Sequence, residues 1–192
     1  MPLAKRYRAM FIQTEPPPNP NTMKFLPGQE VSPAEPREFA TPEAAEGSAL
    51  ARDLFTVDGV TGVFFGADYV SVSKDQTVEW AHIKPAILGA IMDGLTSGEP
   101  IVTGDSDDEA AEPVDGLSKE IKEIIDTRVR PAVARDGGDI IFKGFDETTG
   151  IVALVMRGAC AGCPSSTMTL KSGIENLLKH YVPEVREVVA VG

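Results

Sequence analysis

With 192 residues, 42% of them hydrophobic and 24% charged, the chain has the composition of an ordinary globular protein, long enough for one large domain or two small ones. That composition excludes a collagenous, wholly disordered or membrane-embedded chain, and two cysteines, Cys160 and Cys163, are too few for the disulfide framework of a small secreted domain. Eighteen basic against 29 acidic side chains give a net charge of -11, which repels phosphate backbones and anionic lipid surfaces, so neither nucleic acid nor membrane is expected as a partner.

The charge divides the chain into three parts. Residues 1–100 carry eight basic and 13 acidic side chains, 101–116 carry none and six, and 117–192 carry ten of each. The stretch Gly98 through Gly116 holds Asp105, Asp107, Asp108, Glu109, Glu112 and Asp115, with glycines, prolines and no aromatic. So polar and self-repelling a segment cannot bury enough apolar area to offset its ordering entropy, and it reads as an extended, mobile linker. Two domains follow, 1–97 and 117–192, joined by the acidic linker 98–116. Residues 1–9, with Lys5, Arg6 and Arg8, lack the apolar run of a signal peptide and read as a disordered leader, Met10 being an alternative start. No run of 18 apolar residues occurs. A reducing compartment is expected, the bacterial cytoplasm first, with the mitochondrial matrix left open because a transit peptide already removed would leave no trace in this sequence.

In the first domain, Met10 to Thr14 and Met23 to Leu26 read as short strands around a connection stiffened by Pro16, Pro17, Pro18 and Pro20. A helix is predicted over Glu43 to Phe55. The run Val60 to Phe65, the turn Gly66 to Asp68 and the alternating Val70 and Val72 predict a hairpin. Ile83, Ile87, Ile91 and Leu95 recur every four residues, which predicts a helix from Trp80 to Gly98 with Pro85 in its first turn, where a missing N–H is no loss. Trp80, Phe64 and Phe65 read as core.

In the second domain, Leu117, Ile121, Ile124, Ile125 and Val129 follow the helical period, with Pro131 as the expected stop. Gly138 to Phe145 and Ile151 to Met156 predict strands joined by a turn across Asp146 to Gly150. Asp136 and Asp139, flanking two glycines, read as a tight turn entering the first of them rather than as an iron-capturing pair. Leu170, Ile174, Leu177, Leu178 and Tyr181 form a second apolar stripe, with Lys171 and Lys179 on its solvated side, and Val185 to Val191 closes the chain as a strand. The order α-β-β-α-β, with both stripes buried on one sheet face, is an α+β sandwich of two layers. The fold class is therefore two small α+β domains.

Between the second strand and the second stripe lies Arg157-Gly158-Ala159-Cys160-Ala161-Gly162-Cys163-Pro164-Ser165-Ser166. Pro164 suits a first helical turn and Ser165 or Ser166 can cap it, which places both sulfurs at the positive end of a helix, where thiolate is favoured. Gly158 and Gly162 leave room for a bulky ligand. The loop contains no general base. Two thiolates three residues apart reach adjacent corners of one cluster or one tetrahedral metal, yet such sites need four ligands. His82 sits in the other domain and His180 several helical turns from the motif, and both read as surface histidines. A second copy of the chain, related by a two-fold axis between the loops, supplies the missing pair, one site per homodimer. Taken alone, the spacing leaves three chemistries open: a dithiol-disulfide oxidoreductase, a zinc-bridged dimer and an iron-sulfur site.

The run Gly137-Gly138-Asp139, the strand pair after it and the ten residues from Arg157 to Ser166 resemble the NifU C-terminal-like domain of Nfu-type iron-sulfur cluster carriers. Phe11-Ile12-Gln13-Thr14-Glu15, Asn19-Pro20-Asn21-Thr22-Met23-Lys24-Phe25 and Gly59-Val60-Thr61-Gly62-Val63-Phe64-Phe65 resemble the Nfu N-terminal domain. The resemblance implies a carrier, not an enzyme, that binds a 4Fe-4S cluster between two subunits through Cys160 and Cys163 of each. It further implies that the cluster comes from upstream assembly proteins and goes to apo iron-sulfur proteins. The cysteine-free first domain is then assigned to partner recognition. Two ligands per chain suit transfer, because separating the subunits dismantles the site.

Overall fold

A computed structural model describes residues 11–103, 116–161 and 164–191 of the chain. The predicted leader, Met10 and most of the acidic linker lie outside the described residues. The chain forms two α+β units, each a sheet with helices packed against it.

The first unit is a five-stranded antiparallel sheet in the order β1 (Gln13–Glu15), β2 (Thr22–Leu26), β5 (Val70–Lys74), β4 (Val60–Phe65), β3 (Arg37–Phe39). β4 and β5 make the predicted hairpin. β3 had no signal in the sequence, being three residues long and entered from Pro36, a residue tolerated only at a sheet edge. Two helices, α1 (Ala49–Phe55) and α2 (Trp80–Thr96), cover one face, where Phe25, Phe39, Val63, Phe65, Val70 and Val72 meet Leu50, Leu54, Ile83, Ile87 and Ile91. The single helix predicted over Glu43 to Phe55 is instead a 3-10 turn, Ala44–Gly47, followed by α1. Ser48 separates them in an extended conformation and caps α1 by accepting a hydrogen bond from the Ala51 amide at 3.1 Å. Replacing Ser48 with Ala should lower stability by about 1 kcal/mol, the usual worth of an N-cap, read as a shift of the denaturation midpoint.

Pro85 does not lie in the first turn of α2; it is the sixth residue of the helix and leaves the Ala81 carbonyl without its amide partner. The helix survives because Ile83, Ile87 and Ile91 are buried on one stripe, and each such burial is worth about 1.5–3 kcal/mol against a proline cost of about 3. Beyond α2, Ile101 and Val102 pack against the first core, and the Thr103 amide donates to the Gly47 carbonyl at 2.7 Å.

The second unit begins with α3 (Gly116–Ile124), runs through a π-helical turn (Ile125–Val129) and continues as α4 (Arg130–Arg135). Pro131 therefore does not end the helix. The wider turn, in which the Arg130 amide donates to the Ile125 carbonyl, absorbs the missing proline N–H, and the stripe carries on to Val133. β6 (Gly138–Asp146) and β7 (Ile151–Gly158) form an antiparallel hairpin, and β8 (Glu187–Ala190) pairs in parallel with β7 after the crossover helix α5 (Pro164–Tyr181). The hairpin turn is built by the Asp146 carboxylate, which accepts from the Thr148 and Thr149 amides, and by Gly150 at φ +74°. Ile121, Ile125, Val129, Ile174 and Leu178 pack with Ile140, Phe142, Val152 and Leu154 as the expected two-layer core. Tyr181 is an exception: it is 41% exposed and lies beneath the Arg128 guanidinium at 4.9 Å.

The two units touch. Strand alternation puts Phe65 in the first core but turns Phe64, 1% exposed, to the opposite face of the sheet, where its ring meets Gly158 of β7. Of the three aromatics read as core, Phe65 is core, Phe64 is interface, and Trp80 is half-buried with its indole N–H donating to the Pro20 carbonyl.

Candidate metal centre

β7 ends at Gly158, whose φ of +62° turns the chain back across the Gly137–Gly138 turn. The loop that follows is held by backbone bonds: the Ala159 amide donates to the Gly137 carbonyl, the Cys160 amide to Arg157 and the Ala161 amide to Gly158. From the first turns of α5, the Thr167 hydroxyl donates to the Cys160 carbonyl at 3.1 Å. Cys160 is thus fixed between the Gly-Gly turn and the start of a long helix, the strand-loop-helix setting that the sequence predicted. Its sulfur rests against Gly138; a methyl group at that position would stand 2.3 Å from it.

Cys160 is only 6% exposed and lines a cavity of about 350 Å³ shared with Asp136, Ala159, Ser165, Thr169 and Leu170, and with Pro18 from the first unit. Cys163, the other predicted ligand, and Gly162 lie outside the described residues. The expected lowering of the thiol pKa by the helix is overturned for Cys160. Burial pushes its thiol up to about 12, and Asp136 and Asp139 push in the same direction. The field at a helix end is worth about 0.3–1 kcal/mol, too little to offset desolvation of a thiolate. The resting thiol keeps its proton at neutral pH.

The two carboxylates near it have different settings. Asp139 is buried on β6, and its oxygens accept from Arg130 Nε at 2.8 Å and Nη2 at 3.0 Å, a bidentate pair that also raises the Arg130 pKa. That carboxylate is already engaged. Asp136 sits at the exposed end of α4, ahead of Gly137 at φ +79°, so the turn reading accounts for the Gly-Gly pair and only one of the two acids. His82 and His180 are both exposed, the latter edge-on to Tyr181. Among the described residues no three of His, Cys, Asp and Glu form a group able to hold a metal ion. Lys171 and Lys179 pair with Glu187 and Glu175 on the solvent side of α5.

The sequence reading missed Thr167 and Pro18. Neither residue type signals a site by itself, and only the fold places one behind the Cys160 carbonyl and the other on the cavity wall.

Comparison with known proteins agrees with this geometry. Residues 12–98 match the family model described as the N-terminal domain of the scaffold protein Nfu/NifU, and residues 121–189 match the NifU-like domain. The chain is similar to the NFU1 iron-sulfur cluster scaffold homolog, mitochondrial, of Homo sapiens: 48% identical over 187 residues, covering 96% of this chain and 73% of that protein. It is also similar to NifU-like protein 4, mitochondrial, of Arabidopsis thaliana: 47% identical over 194 residues, covering 97% of this chain and 68% of the other. With both halves matched in order and relatives this close over nearly its whole length, the chain belongs to the Nfu family of scaffold proteins.

Proposed function

We propose that two copies of the protein hold a 4Fe-4S cluster between them, each contributing Cys160 and Cys163, and pass it to apo iron-sulfur proteins. As a member of its family the chain is an iron-sulfur cluster scaffold and not an enzyme. The observation that carries the finer reading is the ligand count: the only two thiols of the chain lie three residues apart in the stretch between β7 and α5. A cluster with four thiolates then requires two chains.

The chemistry of cargo uptake follows from the resting thiol. Cys160 loses its proton only when a cation takes its place, because burial alone disfavours the thiolate. The same burial makes Cys160 a poor attacking thiol at neutral pH, which weighs against the dithiol-disulfide reading. The cluster's donor and recipients are other iron-sulfur proteins, met in a reducing compartment, either cytoplasm or mitochondrial matrix.

Anaerobic reconstitution with iron and sulfide should give a brown dimer with about two iron and two sulfide per chain, the half-share of a four-iron cluster. Iron and sulfide assay combined with sedimentation reads this directly. A coloured monomer with four irons, or a colourless zinc dimer, defeats the reading.

A further inference from the structure

Four residues of the first unit lie in one row across its sheet. Lys24 on β2 is in register with Ser71 on β5, Ser71 with Phe64 on β4, and Phe64 with Glu38 on β3. By strand alternation they share the face opposite the helices. An isolated domain would present this row to water, yet Lys24 is 7%, Phe64 1% and Ser71 2% exposed.

What covers the row is the backbone around the cysteine loop. Ser71 Oγ donates to the Gly137 carbonyl at 2.7 Å, and the Tyr69 hydroxyl, two residues earlier in the chain, donates to the Gly138 carbonyl at 3.0 Å. Lys24 Nζ donates to the Ala134 and Arg135 carbonyls at 3.0 and 3.1 Å, the C-terminal end of α4, where a cation is favoured, and it lies 4.6 Å from the centre of the Tyr69 ring. Glu38 Oε1 accepts from the Gly158 amide at 3.1 Å. Phe64 packs on Gly158, where a side chain would come within 3.0 Å of its ring. Gly137, Gly138 and Gly158, which the sequence suggested for turns and ligand room, thus form a side-chain-free saddle on which the row sits.

We propose that the first domain is an intramolecular cap on the cysteine loop, latched by Lys24, Ser71, Tyr69 and Glu38, and that Cys160 becomes accessible only when this latch opens. Three observations carry the proposal. Pro18 of the first domain forms part of the wall of the Cys160 cavity. Asn19 beside it reaches the Ala161 carbonyl at 3.5 Å. Apart from the buried Phe64 ring, the contacts between the domains are hydrogen bonds to backbone groups, which water replaces at a net cost of about 1 kcal/mol for each neutral donor, so removing them loosens the cap stepwise. Only the consequence, that opening must precede cluster sharing between two copies, rests on the scaffold reading above. The docking does not.

The test uses the full-length apo protein with Cys163→Ser, in which Cys160 is the sole thiol, and follows alkylation by iodoacetamide. Tyr69→Phe with Ser71→Ala removes two hydroxyls and almost no volume; Lys24→Met keeps the length of the chain and removes the charge. Losing two hydrogen bonds shifts the docking equilibrium about thirtyfold, and alkylation should speed up by about the same factor. Small-angle scattering should show a larger radius of gyration at an unchanged far-UV circular dichroism spectrum. If Lys24→Met misfolds, the hydroxyl pair carries the test alone. Alkylation at the parental rate while scattering shows the domains apart overturns the cap, as does a parental rate with the domains still docked despite both hydroxyls being lost. If the Cys163→Ser chain alkylates as expected but the protein with both cysteines intact never takes up iron and sulfide, the cap stands and the scaffold reading is defeated.

Discussion

Replacing either Cys160 or Cys163 with Ala should abolish retention of the iron-sulfur cluster, with iron and sulfide content falling to the level of a mock-reconstituted control. The argument is one of stoichiometry. A bridged site formed from two thiols per chain has no spare ligand, and losing one thiol from each copy leaves two thiolates where four are needed. Asp139 is bound bidentately by Arg130, and His82 and His180 lie on the surface, which leaves Asp136 as the one carboxylate on the cavity wall, a hard oxygen donor poorly matched to a site that selects soft thiolates. The Cys160→Ala variant should still fold. Its side chain is small and its loop is held by backbone bonds and by Thr167, none of which uses the sulfur. Cluster absorbance, iron and sulfide assay and a circular dichroism melt separate the two effects. Normal cluster retention by either variant would show that other groups are the ligands.

The part of the fold that was legible in the sequence is the part whose cause is local. The stripe Ile83, Ile87, Ile91 and the alternation through Val60 to Val72 each report one buried face, and both elements stand where the pattern put them. The two prolines were misread for a common reason. Pro85 and Pro131 carry a strong local preference, but each lies in a helix whose buried stripe outweighs the loss of one hydrogen bond, and around Pro131 the backbone also widens into a π-turn. β3 went unseen because three residues are too few for a period.

The site shows the same division. Its location, a loop between strand and helix with glycines on either side, follows from motif spacing. Its electrostatics do not, because the raised thiol of Cys160 depends on burial that no spacing reports. The row of Lys24, Ser71, Phe64 and Glu38 was also invisible. A polar residue every second position on a strand looks like a solvent face, and only the docking of a second domain buries Lys24, Ser71 and Phe64, with Glu38 at the exposed edge of the row.

Gly138 links these levels, and Gly138→Ala should damage stability and cluster binding together. The position lies on β6 opposite Gly158, without a left-handed backbone, so alanine is compatible with its φ and the effect is purely steric. The added methyl would stand 2.3 Å from the Cys160 sulfur, 3.1 Å from its Cβ and 2.9 Å from the Arg157 carbonyl. A backbone oxygen and a short, loop-anchored side chain cannot rotate away as the end of a lysine could. Relieving the overlap must displace the cysteine loop or part the β6–β7 ladder, at the usual overpacking cost of about 1–3 kcal/mol. Gly144→Ala is the control on the same strand: nothing lies within 4 Å of its added methyl, and its effect should stay within about 0.5 kcal/mol. Denaturation midpoints of both variants, with iron and sulfide content after reconstitution, give the comparison. Gly138→Ala should retain well under half of the parental cluster and Gly144→Ala nearly all of it. Full loading of Gly138→Ala at reduced stability would mean that the Cys160 sulfur leaves its resting place against Gly138 before it binds iron, and that the cluster-bound loop differs from the one seen in the apo chain.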